Sequence, residues 1–327
     1  MKAKILVIRF SSIGDIVLTS PVLRCLHEQM DSTPQIHYLT KEKFKGLLAT
    51  NPYVHTLHLL GNDFNACIKE LKAENFDYII DLHSNIRSGR VKRALKKLSF
   101  SVNKINLAKW IMVNFKINRL PKQHIVDRYL ETLKAFGIKN DLKGLDFFIP
   151  PQDEVNSSEF GKEYSQNFIA FCIGGTYFTK KMPVEKIASI CDKINTPVVL
   201  LGGKEDVEAA EKIQLFCKKK LLNLCGKYSV NQSASVIKQA QKVITHDTGM
   251  MHIAAAFNKE IISLWGNTIP DFGMTPYMPQ NPQFSHIIEV PNLPCRPCSK
   301  LGHSNCPKQH FNCMQLINED DVVRKLS

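Results

Sequence analysis

Short apolar runs alternate with helical stretches along the whole chain. That alternation restricts the fold to the α/β class, because parallel strands need a crossover and each intervening helix supplies one. In the first half the runs fall at 4–8, 35–39, 55–60, 78–82 and 102–105. A helix is expected over 124–136, ending at Gly137. The stretch 147–159, with Pro150-Pro151 and an acidic continuation, reads as an interdomain linker. Strands then resume at 168–173, 197–201, 221–224, 243–245, 260–264 and 286–290. Domain limits follow at 1–150 and 167–327, joined by 151–166, a size that lets each half bury its own core. The last stretch, 317–326, is a capped helix with acids first and cations last.

Two segments carry polar chemistry at the ends of such runs. In Lys242-Val-Ile-Thr-His-Asp247-Thr248-Gly249-Met250-Met-His252 a strand stops at Asp247, turns through Thr248 and Gly249, and a helix opens near Met250 with His252 in its first turn. A helix start presents unpaired N–H groups and a positive dipole end, which suit a phosphate. Asp247 and His252 can hydrogen-bond a sugar and phosphate oxygens, and the set fits a nucleotide-sugar site at the C-terminal edge of a parallel sheet. The competing reading makes Asp247 a helix cap and His252 a packed core residue. At the other end, Lys4-Ile-Leu-Val-Ile runs through Ser11-Ser12-Ile-Gly14 to Asp15, and a helix follows with Ile16, Leu23 and Leu26. Asp15 therefore stands at the ligand edge, placed to take a proton from a hydroxyl; its alternative role is to complement the helix dipole. One glycine is too few for a dinucleotide fingerprint, which disfavours a nicotinamide enzyme.

Two further motifs lie between these, Gly174-Gly175-Thr176-x-x-x-Lys180-Lys181-x-Pro183 and Leu201-Gly-Gly-x-Glu205. With Ser-Ser-x-Gly-Asp, a downstream Pro21 and Asp247-Thr-Gly-x-x-His252, they resemble glycosyltransferase family nine, the heptosyltransferases of lipopolysaccharide inner-core assembly, over essentially the whole chain. The resemblance implies a GT-B architecture: two Rossmann-like domains facing a central cleft, with acceptor held mainly by the N-terminal half and nucleotide-sugar donor by the C-terminal half. It implies inversion at the anomeric carbon with Asp15 as general base. Lys180 would meet the departing diphosphate, helped by Lys181 and Thr176, although adjacent lysines also read as a solvated loop pair. Donor contacts are expected from Ser11, Ser12, Asp247, Thr248, Gly249, Met250 and His252, from Glu205 on the ribose (Lys204 and Asp206 being eligible too), and from Tyr228 against adenine. ADP-heptose is the expected co-substrate, with another base or hexose left open, and a nucleotide-sugar epimerase is the alternative enzyme. No Asp-x-Asp pair stands in a cleft-facing turn, since Asp320-Asp321 begins the last helix. Neither a catalytic metal nor a resident cofactor is therefore expected.

Charge bears on the acceptor. Between 87 and 122 there are eleven Lys/Arg residues and no Asp or Glu, interleaved with the apolar run around Trp110 and Phe115, in a chain of net charge +13. The pattern suits an anionic membrane surface or a phosphorylated lipid headgroup, against the plainer reading of a solvated basic face. Nucleic acid is not expected, because no recognition helix, zinc finger or RNP motif accompanies the charge. The family resemblance makes His83, Arg87 and Ser88 acceptor contacts to an anionic lipid-linked saccharide of lipid A/Kdo type, with Arg87 pairing a carboxylate or phosphate; His83 reads equally as structural. No apolar run approaches the roughly 20 residues of a spanning helix, and the N-terminus enters a strand without a signal pattern. The expectation is a cytoplasmic protein held peripherally at the inner membrane. Six of the ten cysteines read as small hydrophobes; Cys295-x-x-Cys298 with Cys306 and Cys313 leaves zinc, packed thiols and disulfides all open.

Overall fold

A computed structural model describes residues 2–165 and 167–326. The chain forms two compact units: Met1–Lys104 with Gln123–Pro150, and Ile105–Lys122 with Pro151–Ser327.

The first unit contains β1 (Lys4–Ile8), β2 (Gln35–Lys41), β3 (Thr56–Leu60), β4 (Tyr78–Asp81) and β5 (Leu98–Ser101), in the order β3-β2-β1-β4-β5. Every pairing is parallel. Residues 5–8 of β1 are wholly enclosed, as expected for a central strand covered by helices on both faces. One face packs Leu6, Ile8 and Leu39 against Cys67, Ile68 and Leu71 of helix Phe64–Ala73 and Val91 and Leu95 of helix Ile86–Leu95. The second unit contains β6 (Ile169–Cys172), β7 (Val198–Leu201), β8 (Leu222–Asn223), β9 (Lys242–His246), β10 (Glu260–Trp265) and β11 (Ser285–Glu289), ordered β11-β10-β9-β6-β7-β8 and parallel throughout. In each sheet the chain builds outward on one side and then crosses back, so the direction reverses between β1 and β4 and between β6 and β9. Ligands of open α/β sheets bind beyond the strand C-termini at such reversals.

Four expectations need correction. The fifth strand is not 102–105 but Leu98–Ser101, because its partner β4 ends at Asp81, opposite Ser101. The span 124–136 is α-helical only over Ile125–Leu130 and tightens into a 3₁₀ segment over Glu131–Phe136 before Gly137. Residues 151–157 are no free linker: Asp153 accepts from Asn231 at 2.8 Å and Ser235 donates to Glu154 at 2.9 Å, which fastens them to helix Val230–Gln239. Gln166, the end of the expected linker, lies outside the described residues. Lastly, the basic block is divided, since helix Asn106–Phe115 belongs to the second unit. Lys116 donates to the Pro297 carbonyl at 2.6 Å, Asn118 donates to Asp271 at 2.7 Å, and Lys109 lies over the Phe272 ring.

Candidate functional site

At the C-terminal edge of the first sheet, β1 delivers Arg9 and then Asp15, at the start of helix Ile13–Val17. Arg9 is 7% exposed. Its Nη2 lies 2.6 Å from Asp15 Oδ1, while Nε donates to the Ser11 carbonyl at 2.7 Å and Nη1 to the Leu82 carbonyl at 2.6 Å. The guanidinium thus ties the end of β1 to the end of β4 across the reversal. Asp15 Oδ2 accepts from the Ser12 amide at 3.1 Å and the Ser12 hydroxyl at 2.8 Å. A carboxylate offers about four acceptor positions; three are filled, and the fourth is on Oδ1. With 22% of its side chain exposed, Asp15 can be reached by a hydroxyl. Burial pushes its pKa up, but the Arg9 charge and the Ser12 bonds outweigh it and hold the carboxyl below its ordinary value. The result is an ionised, oriented carboxylate with one acceptor position open. Ser11 and Ser12, expected among the donor contacts, here position Arg9 and Asp15.

Beyond β4 the loop turns around Asp81, which is fully buried and accepts from the His83 and Ser84 amides at 3.0 and 2.7 Å. Ser88 is also fully buried and donates to Asp81 Oδ2 at 2.8 Å. Its hydroxyl, expected among the acceptor contacts, here shapes the loop. His83 is half-buried, its ring edge-on to Phe10 at 4.9 Å. Burial is the first cause that lowers its pKa to about 4, with Arg9 and Lys104 adding repulsion, so it stands as a neutral imidazole. Arg87 is exposed and lines a depression of about 490 Å³ with Arg90, Lys41, Lys43, Glu42 and Asn62.

The second unit carries its own polar edge. Lys180 donates to Asp247 Oδ2 at 2.6 Å and to the Asp247 carbonyl at 3.0 Å, and Thr268 donates to the same Oδ2 at 2.8 Å. Both side-chain bonds fall on Oδ2, which leaves Oδ1 for a ligand hydroxyl. Helix Gly249–Ala256 starts directly after Thr248, whose buried Oγ1 has no partner. Gly249 and Met250 present the first helical N–H groups, while His252 is buried in the first turn. Next to them, Asp206 is buried, accepts from the Gly203 amide at 2.9 Å and pairs with Lys181 at 3.3 Å. A side chain at Gly174 would bring its Cβ to 2.6 Å from Asp206 Oδ2, so the β6 turn needs glycine there. With Asp206 turned inward, Glu205 is the exposed carboxylate beyond β7. Thr176 is exposed in the β6 turn, and Tyr228 is half-buried with its ring 6.4 Å from Phe160.

Sequence reasoning missed Arg9 and Thr268, and left Asp206 open beside Glu205. A cation directly after an apolar strand was the available signal for Arg9. The ten cysteines are all free thiols, so the disulfide reading of Cys295, Cys298, Cys306 and Cys313 drops out. Burial is the first cause that pushes Cys298 up to about 11 and Cys313 up to about 12.

Two doubly wound parallel sheets in one chain, the second with a lysine and a bare helix start at its reversal, are the organisation of GT-B glycosyltransferases. The family model of glycosyltransferase family 9 (heptosyltransferase) matches residues 64–307, and the chain belongs to that family. It is 25% identical over 292 residues to lipopolysaccharide heptosyltransferase 1 of Campylobacter coli, covering 81% of this chain and 84% of that protein. It is 25% identical over 326 residues to lipooligosaccharide heptosyltransferase 2 of Haemophilus influenzae, with 91% and 92% covered. The solved structure of the Escherichia coli ADP-heptose LPS heptosyltransferase II superposes with a TM-score of 0.74 at 20% identity, over 100% of this chain and 97% of that one.

Proposed function

We propose that the protein transfers heptose from ADP-heptose to an anionic, lipid-linked saccharide of the lipid A/Kdo class, with inversion and with no metal in the reaction. The names of its relatives support the sugar and the lipopolysaccharide acceptor, and the name of the Escherichia coli enzyme supports the ADP carrier. The observation that carries the reading is Asp15, ionised and aimed with one acceptor position open. In the reaction the acceptor hydroxyl oxygen forms a bond to the anomeric carbon as the bond to the β-phosphate oxygen breaks on the opposite face. The hydroxyl proton passes to Asp15, and the bonding pair leaves with ADP. Lys180, the Gly249 and Met250 amides and the Thr248 hydroxyl are suited to the charge that develops on the diphosphate. Glu205 is assigned to the ribose, Tyr228 to the adenine, and Lys181 and Thr176 to flanking donor contacts; Asp247 and His252 are assigned to the sugar and phosphate side. The basic depression at Arg87 suits the acidic groups of the acceptor, and His83 is assigned to the same ligand.

Isothermal titration with ADP-, UDP- and GDP-linked sugars tests the donor. ADP-heptose is expected to bind most tightly; preference for a uridine or guanosine carrier would remove it. Consumption of donor without any acceptor would instead favour the epimerase alternative.

The same proposal includes reversible docking on the cytoplasmic face of the inner membrane. Its support is helix Asn106–Phe115, which has no buried residue and leaves Leu107, Trp110 and Phe115 exposed, followed by the exposed cations Arg119 and Lys122. Some of the eleven cations are engaged internally, Lys92 with Asp81 and Lys97 with Asn75. Apolar insertion therefore has a larger share than charge count alone implies. No described helix is long and apolar enough to cross a membrane. Trp110→Glu with Phe115→Glu is expected to lower binding to anionic vesicles by about tenfold or more, each cation near the surface being worth about 1 kcal/mol. Donor affinity should be unchanged. Undiminished vesicle sedimentation of this variant would leave the helix a solvated face.

A further inference from the structure

Beneath helix Phe64–Ala73 the apolar layer of the first sheet is interrupted by two imidazoles. His37 on β2 and His58 on β3 are each 1% exposed, and His37 Nδ1 lies 2.9 Å from His58 Nε2. The second nitrogen of His58, Nδ1, lies 2.6 Å from Glu70 Oε1. Four residues further along, Glu74 comes over the same strands, since positions i and i+4 share a helix face. One ring nitrogen from each histidine and a carboxylate oxygen of Glu74 lie within 4.8 Å of one another. It is the sole trio of this kind among the described residues.

The protons make the trio unusual. Glu70 accepts the His58 Nδ1 proton. His58 Nε2 faces His37 Nδ1 across one shared proton.

We propose that His37, His58 and Glu74 bind a divalent transition-metal cation of the zinc class. Two imidazoles and one carboxylate favour such ions over magnesium or calcium, which prefer all-oxygen shells. Glu70 then holds the His58 ring from behind, the carboxylate–histidine arrangement common in metal centres. Two nitrogens on one tetrahedral zinc stand roughly 3.3 Å apart, so on binding the facing pair at 2.9 Å releases its shared proton, opens by a few tenths of an ångström and turns both lone pairs towards the ion. Lys4, 3.0 Å from Glu74 and 36% exposed, has room to swing away. The site lies towards the strand N-termini, at the opposite edge of the sheet from Asp15. The cation would bolt β2 and β3 to a helix whose first residue, Phe64, lines the basic depression.

Chelator-stripped full-length protein, with Cys295→Ser and Cys298→Ser to remove competing thiols, is titrated with Zn²⁺ at pH 7 by calorimetry, and its Tm is followed in parallel. One equivalent is expected to bind and raise Tm. Glu74→Gln, a partly exposed position that should not disturb folding, and His58→Gln should both lose that equivalent and the Tm rise. Glu70→Gln should weaken it by about 10–100-fold. If Glu74→Gln and His58→Gln bind as many equivalents as their parent, or if the parent binds none, the site does not exist.

Discussion

Asp15→Asn is expected to lower heptosyl transfer by about 10²–10⁴, the usual worth of a positioned general base, while donor affinity stays within a few-fold. The amide keeps the shape of the carboxylate and can still accept from Ser12, but it cannot take a proton. Arg9, whose side chain is 8% exposed, then loses its counter-charge, so some stability should be lost as well and Tm must be followed. The pH profile separates the two effects. Only the ionised carboxylate takes the proton, and its folded-state pKa lies below the ordinary 3.8 because Arg9 and Ser12 overcome burial. Wild-type activity should therefore show no Asp15 limb anywhere above that value. Arg9→Gln removes the largest lowering cause, so the limb should move up into the measurable acid range, with activity lost as pH falls. Wild-type turnover by a folded Asp15→Asn protein would remove Asp15 from the mechanism.

The doubly wound class and most strands were legible because central parallel strands are near-continuous apolar runs, as 5–8 and 169–172 show. The polar strand ends were legible for a related reason: Asp15 and the Asp247-Thr248-Gly249 turn sit where an apolar run gives way to a helix. What stayed hidden depends on contacts distant in sequence. Residues 105–122 join the second unit through the Pro297 carbonyl and Asp271, and nothing local to the helix announces either. Ser88 looked available until Asp81 turned inward to receive its hydroxyl. Choosing Glu205 over Asp206 required knowing that Asp206 answers the Gly203 amide and Lys181. His37, His58 and Glu74 converge only through the register of β2 on β3 and the phase of the helix above them, neither of which an isolated strand reveals.

Lys180→Ala should weaken ADP binding and slow transfer by about 10²-fold, the order lost when one oxyanion donor is removed. Added Mg²⁺ or EDTA should leave wild-type rates unchanged, because the developing diphosphate charge is assigned to Lys180 and the helix start at Gly249. Asp247, whose side chain is 10% exposed, shares its Oδ2 between Lys180 and Thr268. Deleting the lysine leaves that carboxylate with the Thr268 hydroxyl alone, and breaking such a pair costs up to about 3–5 kcal/mol when fully buried. A loss of activity could then reflect a disturbed turn rather than a missing cation. Lys180→Met combined with Asp247→Asn removes both charges together and should recover most of the lost Tm. If Lys180 acts on the diphosphate, the double variant stays slow and binds ADP weakly despite its restored stability. If it regains wild-type ADP affinity, the lysine only neutralises Asp247, and the leaving group must be met elsewhere. Strict dependence of the wild-type enzyme on a divalent cation would point to the same conclusion by an independent route.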